Sequence, residues 1–283
     1  MIGIFDSGVG GLSVLRHVRA ALPAEDLVYF SDAGFTPYGD KPEAVIVARA
    51  LAIAAYLQQA GATALVVACN TATAAAIEAI RMQYPTLVTV GVEPGLKPAA
   101  ALSAARTVGV LATAATLASR RFAQLHADIA AASGVRFLLQ PCPGLADQVE
   151  KGALETGATA KLVGRFVRPL LAQGADTLVL GCTHYPFVQP LIVTAALRYR
   201  VAARLPLSPA VHLVDTGVAV ARQLQAVLRQ NEALRSAGAP GRLRAVTTGS
   251  RWTLAQAFQH LLSLDVPVAD VRLAAPVAVP LPR

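Results

Sequence analysis

Short runs of Val, Leu, Ile and Phe recur along the chain, separated by longer Ala-rich stretches with helix-compatible spacing. The runs read as strands at 2–5 (IGIF), 27–30 (LVYF), 63–68 (TALVVA), 88–92 (VTVGV), 107–111 (TVGVL), 136–140 (RFLLQ), 177–181 (TLVLG), 211–214 (VHLV) and 243–247 (LRAVT). Stretches such as 43–60 and 71–83 supply the helices. Strands alternating with helices are the signature of βα units around a parallel sheet, so the pattern predicts an α/β fold throughout.

The pattern also repeats. GATALVVAC, ending at Cys69, and GADTLVLGC, ending at Cys182, lie 113 positions apart and agree at five of nine positions. IGIFDS at 2–7 aligns with VGVLAT at 108–113, an offset of 106. Each cysteine follows a buried parallel strand and precedes polar residues that can open a helix, Asn70-Thr71 and Thr183-His184, which is where α/β sheets bind ligands. A duplicated chain with one thiol per half predicts two pseudo-symmetric domains, each a mostly parallel sheet flanked by helices, with an active site in the cleft between them. One sulfur on each side of a substrate suits chemistry that removes a proton from one face of a carbon and adds it to the other.

The breaks locate the domains. Pro94, Gly95 and Pro98 interrupt regular structure near residue 97, and LPLSP at 205–209 does so again before VHLV. The expected arrangement is a discontinuous first domain of residues 1–97 plus 208–265, a second domain of 98–207, and a Pro-rich tail of 266–283. Residues 232–241 read as a surface loop.

Length and composition then narrow the classes. At 283 residues the chain is long enough for two ordinary domains with substantial cores. No stretch of about 20 residues lacks a charged or strongly polar side chain, so no transmembrane helix is expected. MIGIFDSGVGG does not resemble a signal peptide, which makes the cytoplasm the expected location. Three cysteines without CxxC spacing point neither to a disulfide scaffold nor to zinc, and they argue against a thiol redox protein. His17, His126, His212 and His260 show no metal-ligand clustering. The net charge of +8 invites a nucleic-acid-binding module, but the arginines are spread along the chain without aromatic interleaving, only RYRVAARL from Arg198 being dense. Such a module would bind in a salt-sensitive way and survive loss of both thiols. GVGG at 8–11 is a poor dinucleotide fingerprint, because GxGxxG would need glycine where Ser13 stands.

The thiolate is the active form of cysteine, and at a pKa of about 8.5 a free thiol is mostly protonated at neutral pH. A helix N-terminus or a neighbouring acid/base group must help. Asp6, at the end of the first strand, and His184, two residues after Cys182, are the candidates. A cysteine ending a strand is otherwise a small core residue, an aspartate before a glycine-rich turn is a cap, and Cys142 in PCPG, without a repeat partner, reads as structural.

At this point a family resemblance covers nearly the whole chain. FDSGVGGLSVL (5–15), PYGDK (37–41), VVACNTATA (66–74), VGVEP (90–94), GVLATAAT (109–116), CP before VEKG (142–152), LVLGCTHYP (178–186), VDTG (214–217) and TTG (247–249) resemble, in order, the glutamate racemases of the cofactor-independent aspartate/glutamate racemase superfamily. The resemblance implies interconversion of L- and D-glutamate without pyridoxal phosphate or metal, D-glutamate being supplied for peptidoglycan, and a homodimer without membrane or nucleic-acid partners. A racemase of aspartate or another acid is the alternative.

By the same resemblance, Asp6 assists Cys69 and His184 assists Cys182. Cys69 takes the α-proton of D-glutamate and Cys182 that of L-glutamate. Ser7, Tyr38, Gly39, Asn70, Thr71, Thr113, Thr116 and Thr183 contact substrate together with Asp6 and His184, and Glu150 supports His184 from behind. Hydroxyls and amides of this kind bind carboxylates without adding fixed charge. The chain departs from the commoner pattern in AGFT at 33–36, ahead of PYG, and in GL at 144–145 after CP.

Overall fold

The computed structural model describes residues 1–206, 210–235 and 238–273. It divides into two compact units, one formed by Met1–Val92 with the chain from Gly217 onward and the other by Glu93–Thr216.

The first unit is built on β1 (Ile2–Asp6), β2 (Leu27–Ser31), β3 (Ala64–Val67), β4 (Val88–Gly91), β9 (Leu243–Thr247) and β10 (Val268–Asp270). They form one parallel sheet in the order β10-β9-β2-β1-β3-β4. Its helices include α1 (Leu12–Ala21), α2 (Glu43–Gln59), α3 (Asn70–Gln83), α10 (Gly217–Gln230) and α11 (Arg251–Leu262). Helix α1 packs on α10 and α2 on α3. Every residue of β1, β2 and β3 is buried, which is why these segments read as unbroken apolar runs. Phe5, Phe30, Leu57, Leu65 and Ile77 lie in a core that each fully buried side chain stabilises by about 1.5–3 kcal/mol.

The second unit holds β5 (Thr107–Ala112), β6 (Arg136–Pro141), β7 (Thr177–Gly181) and β8 (His212–Val214) in a parallel sheet of order β6-β5-β7-β8. Its helices are α4 (Leu96–Leu102), α5 (Ala114–Ala118), α6 (Arg120–Ser133), α7 (Leu145–Glu150), α8 (Gly157–Ala172) and α9 (Gln189–Ala202). Val108, Val110, Phe122, Phe137 and Val179 form its core.

The duplication read from the sequence appears in the ladder itself. β2-β1-β3-β4 and β6-β5-β7-β8 share one topology. Ile2 pairs with Ala64 and its counterpart Val108 pairs with Thr177, so the two sequence offsets land on the same register. In each unit the chain leaves the first strand toward one neighbour and returns on the other side. That places a topological switch point at the carboxyl ends of β1 and β3, and of β5 and β7.

Three expectations need correction. VHLV does not open the return to the first domain: β8 pairs with β7 and belongs to the second unit, so the crossing follows Thr216 rather than residue 207. Pro98 does not break the chain, because it sits in the first turn of α4, where a backbone N–H would have no helical partner anyway. The first crossing accordingly precedes α4, between Val92 and Glu93. Residues 266–273 are not tail, since β10 extends the first sheet beside β9. It escaped notice because it is three residues long and none of them is buried. Residues 207–209 of the Pro-containing break, 236–237 of the surface loop and 274–283 of the tail lie outside the described residues. No described helix is long and apolar enough to cross a membrane.

Candidate active site

In the first unit, Asp6 ends β1 and Cys69 follows β3, at the switch point of the sheet. Cys69 caps α3: its extended backbone (φ −71°, ψ 122°) aims the sulfur back at the helix start, where it accepts from the Ala72 N–H at 3.4 Å. A sulfur held there sits in the partial positive charge of the helix N-terminus, which favours its anion. Its thiol also faces Ser7 Oγ at 3.6 Å. Asp6 is fully buried, and its Oδ1 accepts from the Gly8 N–H at 2.9 Å. The glycine-rich turn that follows serves this carboxylate. A Cβ on Gly11 would lie 2.5 Å from Asp6 Cβ and 2.9 Å from the Tyr29 hydroxyl, which itself donates to the Gly8 carbonyl at 2.8 Å. Gly11→Ala is therefore expected to destabilise the protein by about 1–3 kcal/mol through overpacking, measured by urea denaturation; unchanged stability would mean that Asp6 is not held by this contact.

Asn70 and Thr71 form the first turn of α3 and are buried. Both polar atoms of the Asn70 amide are buried without a hydrogen-bond partner. An amide so placed next to Cys69 is suited to a ligand that brings both a donor and an acceptor. Tyr38 and Gly39 lie in a 3-10 turn at Tyr38–Asp40. The Tyr38 hydroxyl is already engaged, donating to Asp32 Oδ2 at 2.5 Å.

In the second unit Cys182 follows β7. The helix expected at Thr183-His184 does not begin there: a 3-10 turn at Tyr185–Val188 intervenes and α9 starts at Gln189. Proline at 186 and again at 190 supplies no N–H, so the regular hydrogen-bond ladder is established only beyond them. The delay leaves His184 turned toward the sulfur, with Nδ1 at 3.4 Å from Cys182 Sγ. Its Nε2 lies 2.6 Å from Glu150 Oε1, at the end of α7. Cys182, Thr183 and His184 are all buried.

Burial works against protonating the His184 ring, but the Cys182 sulfur and the Glu150 carboxylate outweigh it and raise the ring's pKa well above the ordinary imidazole value. A ring that binds its proton more tightly when folded adds stability that is complete below the ordinary imidazole pKa, about 6.5, and disappears as pH rises past the raised folded value. His184→Asn is thus expected to melt below wild type near pH 6 and to converge with it at alkaline pH. Thermal melts across that range check the sign, and a gap that widened with pH would reverse it.

Thr113 ends β5's segment and caps α5, its Oγ1 accepting from the Thr116 N–H at 3.1 Å and donating to Thr116 Oγ1 at 2.9 Å. Tyr185, to which the sequence assigns no role, and Cys142 also belong to this neighbourhood. The Tyr185 hydroxyl is buried with no hydrogen bond of ordinary geometry. Burial, and the nearby sulfurs of Cys182 and Cys142, raise its pKa well above the usual tyrosine value. Cys142 is buried, and its desolvation pushes the thiol up to about 12, opposed by Tyr185. Cys142 is thus a protonated neighbour, packed as expected of a structural cysteine but close to Tyr185. Tyr185 was visible in GCTHYP without an assignable role.

Each of the two matched α/β units thus holds a buried thiol at the carboxyl end of a central strand, one capping a helix and the other against a histidine–carboxylate pair, an arrangement suited to acid–base chemistry. The family model described as Asp/Glu/Hydantoin racemase matches residues 2–224. Glutamate racemase of Ectopseudomonas mendocina is 52% identical over 233 residues, covering 82% of this chain and 84% of that protein. Among solved structures, a glutamate racemase of Bacillus anthracis superposes with a TM-score of 0.83 at 29% identity, covering 96% of this chain and 97% of that one. The Escherichia coli enzyme in complex with L-glutamate and the activator UDP-MurNAc-ala gives 0.81 at 30%, covering 97% and 98%. The Francisella tularensis enzyme in complex with D-glutamate gives 0.80 at 25%, covering 96% and 97%. The chain belongs to the Asp/Glu/Hydantoin racemase family and, within it, to the glutamate racemases.

Proposed function

We propose that the protein interconverts L- and D-glutamate by two-base proton transfer at Cα, with Cys69 and Cys182 on opposite faces of the substrate and no organic cofactor. The observation that carries this reading is the matched pair of thiols, each placed at the same strand end of a duplicated sheet and each supplied with its own means of stabilising a sulfur anion. Cys69 removes the α-proton of D-glutamate and Cys182 that of L-glutamate, the opposite thiol returning a proton to the other face. The atoms balance over a turnover: one C–H bond breaks, another forms, and each sulfur regains its starting state by proton exchange. Asp6 assists at Cys69. His184, oriented by Glu150, takes and returns the proton of Cys182.

Glutamate brings two carboxylates and an ammonium. The hydroxyls of Ser7, Thr71, Thr113, Thr116 and Thr183, the amide of Asn70 and the turn at Tyr38–Gly39 suit the carboxylates, and Asp6 suits the ammonium. The relatives crystallised with L- and D-glutamate support this substrate over aspartate. The enzyme is proposed to act in the cytoplasm as a homodimer, supplying D-glutamate for peptidoglycan synthesis.

The test is L-glutamate with reduced protein in D₂O and no added cofactor, followed by circular dichroism while NMR tracks the α-hydrogen. Loss of the optical signal together with deuterium incorporation is expected. A stable signal without incorporation would overturn the assignment of glutamate.

A further inference from the structure

Asp32 follows β2 directly and is fully buried, yet the reaction proposed above assigns it no step. Its carboxylate accepts four hydrogen bonds. Oδ1 takes Arg49 Nη2 at 2.6 Å and the Thr248 hydroxyl at 2.7 Å, and Oδ2 takes Arg49 Nε at 3.0 Å and the Tyr38 hydroxyl at 2.5 Å. Arg49 is itself only 3% exposed, so the two charges are withdrawn from water together. A buried pair of this kind persists only when its remaining hydrogen-bonding capacity is filled; here Tyr38 and Thr248 fill it, so that the carboxylate gathers three separate segments. Arg49 projects from α2, Tyr38 from its 3-10 turn, and Thr248 from the loop between β9 and α11.

The segment between Asp32 and Tyr38 is stitched to the same cluster. Thr248 Oγ1 accepts from the Gly34 N–H at 3.1 Å. A Cβ on Gly34 would lie 2.6 Å from the Thr248 carbonyl oxygen, so the two loops run in contact. The Phe35 ring covers the Arg49 guanidinium at 3.6 Å. From this cluster the contacts reach the reactive thiol's surroundings. The Asp32 N–H donates to the Asp6 carbonyl at 3.0 Å. The Tyr38 ring stands edge-on to Phe5 at 6.2 Å and shares a core with Cys69.

We infer that Asp32 is a positioning residue for substrate binding: by gathering Tyr38, Arg49 and Thr248 on one carboxylate it holds the Tyr38–Gly39 turn in its binding geometry before substrate arrives. The inference rests on the proposed glutamate site. A preorganised turn contributes equally to binding the substrate and the transition state, so loosening it raises KM and leaves kcat nearly unchanged.

Thr248→Val removes one hydroxyl of the cluster at a residue outside the proposed substrate contacts and keeps the Asp32–Arg49 pair, a milder change than Asp32→Ala, which would leave the Arg49 charge buried without its carboxylate. It is expected to raise KM for both glutamate enantiomers about tenfold, as loss of a hydrogen bond to a charged group does, with kcat within about twofold of wild type. Thr248→Ser is expected to restore KM. Backbone hydrogen exchange over residues 33–40 should quicken in Thr248→Val, and this second readout does not depend on the substrate. Unchanged KM with unchanged exchange, or a lowered melting temperature with KM intact, would reduce the cluster to a structural role. Absence of glutamate turnover in wild type would instead sink the glutamate reading, and the exchange measurement would still decide the positioning of the turn.

Discussion

Cys69→Ala and Cys182→Ala are each expected to lower racemisation of glutamate by at least about 10³-fold, in both directions, with little change in stability. The magnitude follows from the role. A positioned general acid or base contributes about 10²–10⁴-fold, and in the proposed two-base scheme every turnover uses each thiol once, whichever enantiomer enters. Loss of either therefore blocks both directions, and loss of both is expected to be scarcely worse than loss of one, because groups acting as a unit are not additive. Both sulfurs are only 6% exposed, and replacing a small buried thiol by alanine leaves a small void, so melting temperatures are expected to stay within a few degrees of wild type. Cys142→Ala is the control. Its thiol is held protonated by burial, and turnover is expected to survive its loss. A single-thiol variant with near-normal turnover, measured by circular dichroism on highly purified protein, would contradict the two-base assignment.

The second large effect is expected at His184. With Nδ1 at 3.4 Å from the Cys182 sulfur and Nε2 at 2.6 Å from Glu150, the ring is placed both to accept the thiol's proton and to balance the sulfur's charge afterwards. His184→Asn is expected to lower kcat by about 10²–10³-fold, with the larger loss in the direction that starts from L-glutamate, where Cys182 is the proposed base. Glu150→Gln is a subtler probe. The carboxylate is one of the groups that raise the ring's proton affinity, so removing its charge lowers that affinity. Where the protonated ring is required, the alkaline limb of the kcat/KM profile moves to lower pH. A limb that stayed in place, or moved to higher pH, would show that Glu150 does not act through His184.

The sequence carried the thiols because the chain says the same thing twice. The repeated strand motif fixed where each cysteine falls, and the register of Ile2 with Ala64 against Val108 with Thr177 is the structural form of that repetition. Unbroken apolar runs such as TLVLG announced buried parallel strands, since burial on both faces leaves no alternation to misread. His184 was legible from its place two residues after Cys182, Glu150 through motif alone. Spacing could not have paired them, because they lie 34 positions apart.

What escaped shares a physical cause. The partnership of Asp32 with Arg49 joins the end of a strand to the middle of a helix 17 positions away, and no local pattern marks a buried arginine inside an otherwise apolar helix as anything but a surface charge. Tyr185 beside Cys142 likewise joins the segments after β6 and β7, strands that are not neighbours in the sheet. Local signals also misplaced the boundaries. Proline at 98 signals a break in the sequence although the first turn of a helix accepts it, and β8 is too short for its sequence to reveal which sheet it joins.

The handedness of exchange tests the two-thiol claim most directly. Cys69→Ala and Cys182→Ala would each be incubated in D₂O with L-glutamate and, separately, with D-glutamate, and the α-deuterium content of the recovered substrate measured by NMR. A thiol dedicated to each face predicts that Cys69→Ala, which keeps Cys182, exchanges L-glutamate and not D-glutamate, that Cys182→Ala does the reverse, and that neither inverts what it exchanges. Exchange of both enantiomers by one single-thiol variant would mean that one sulfur reaches both faces, and the paired assignment of Cys69 and Cys182 would be wrong.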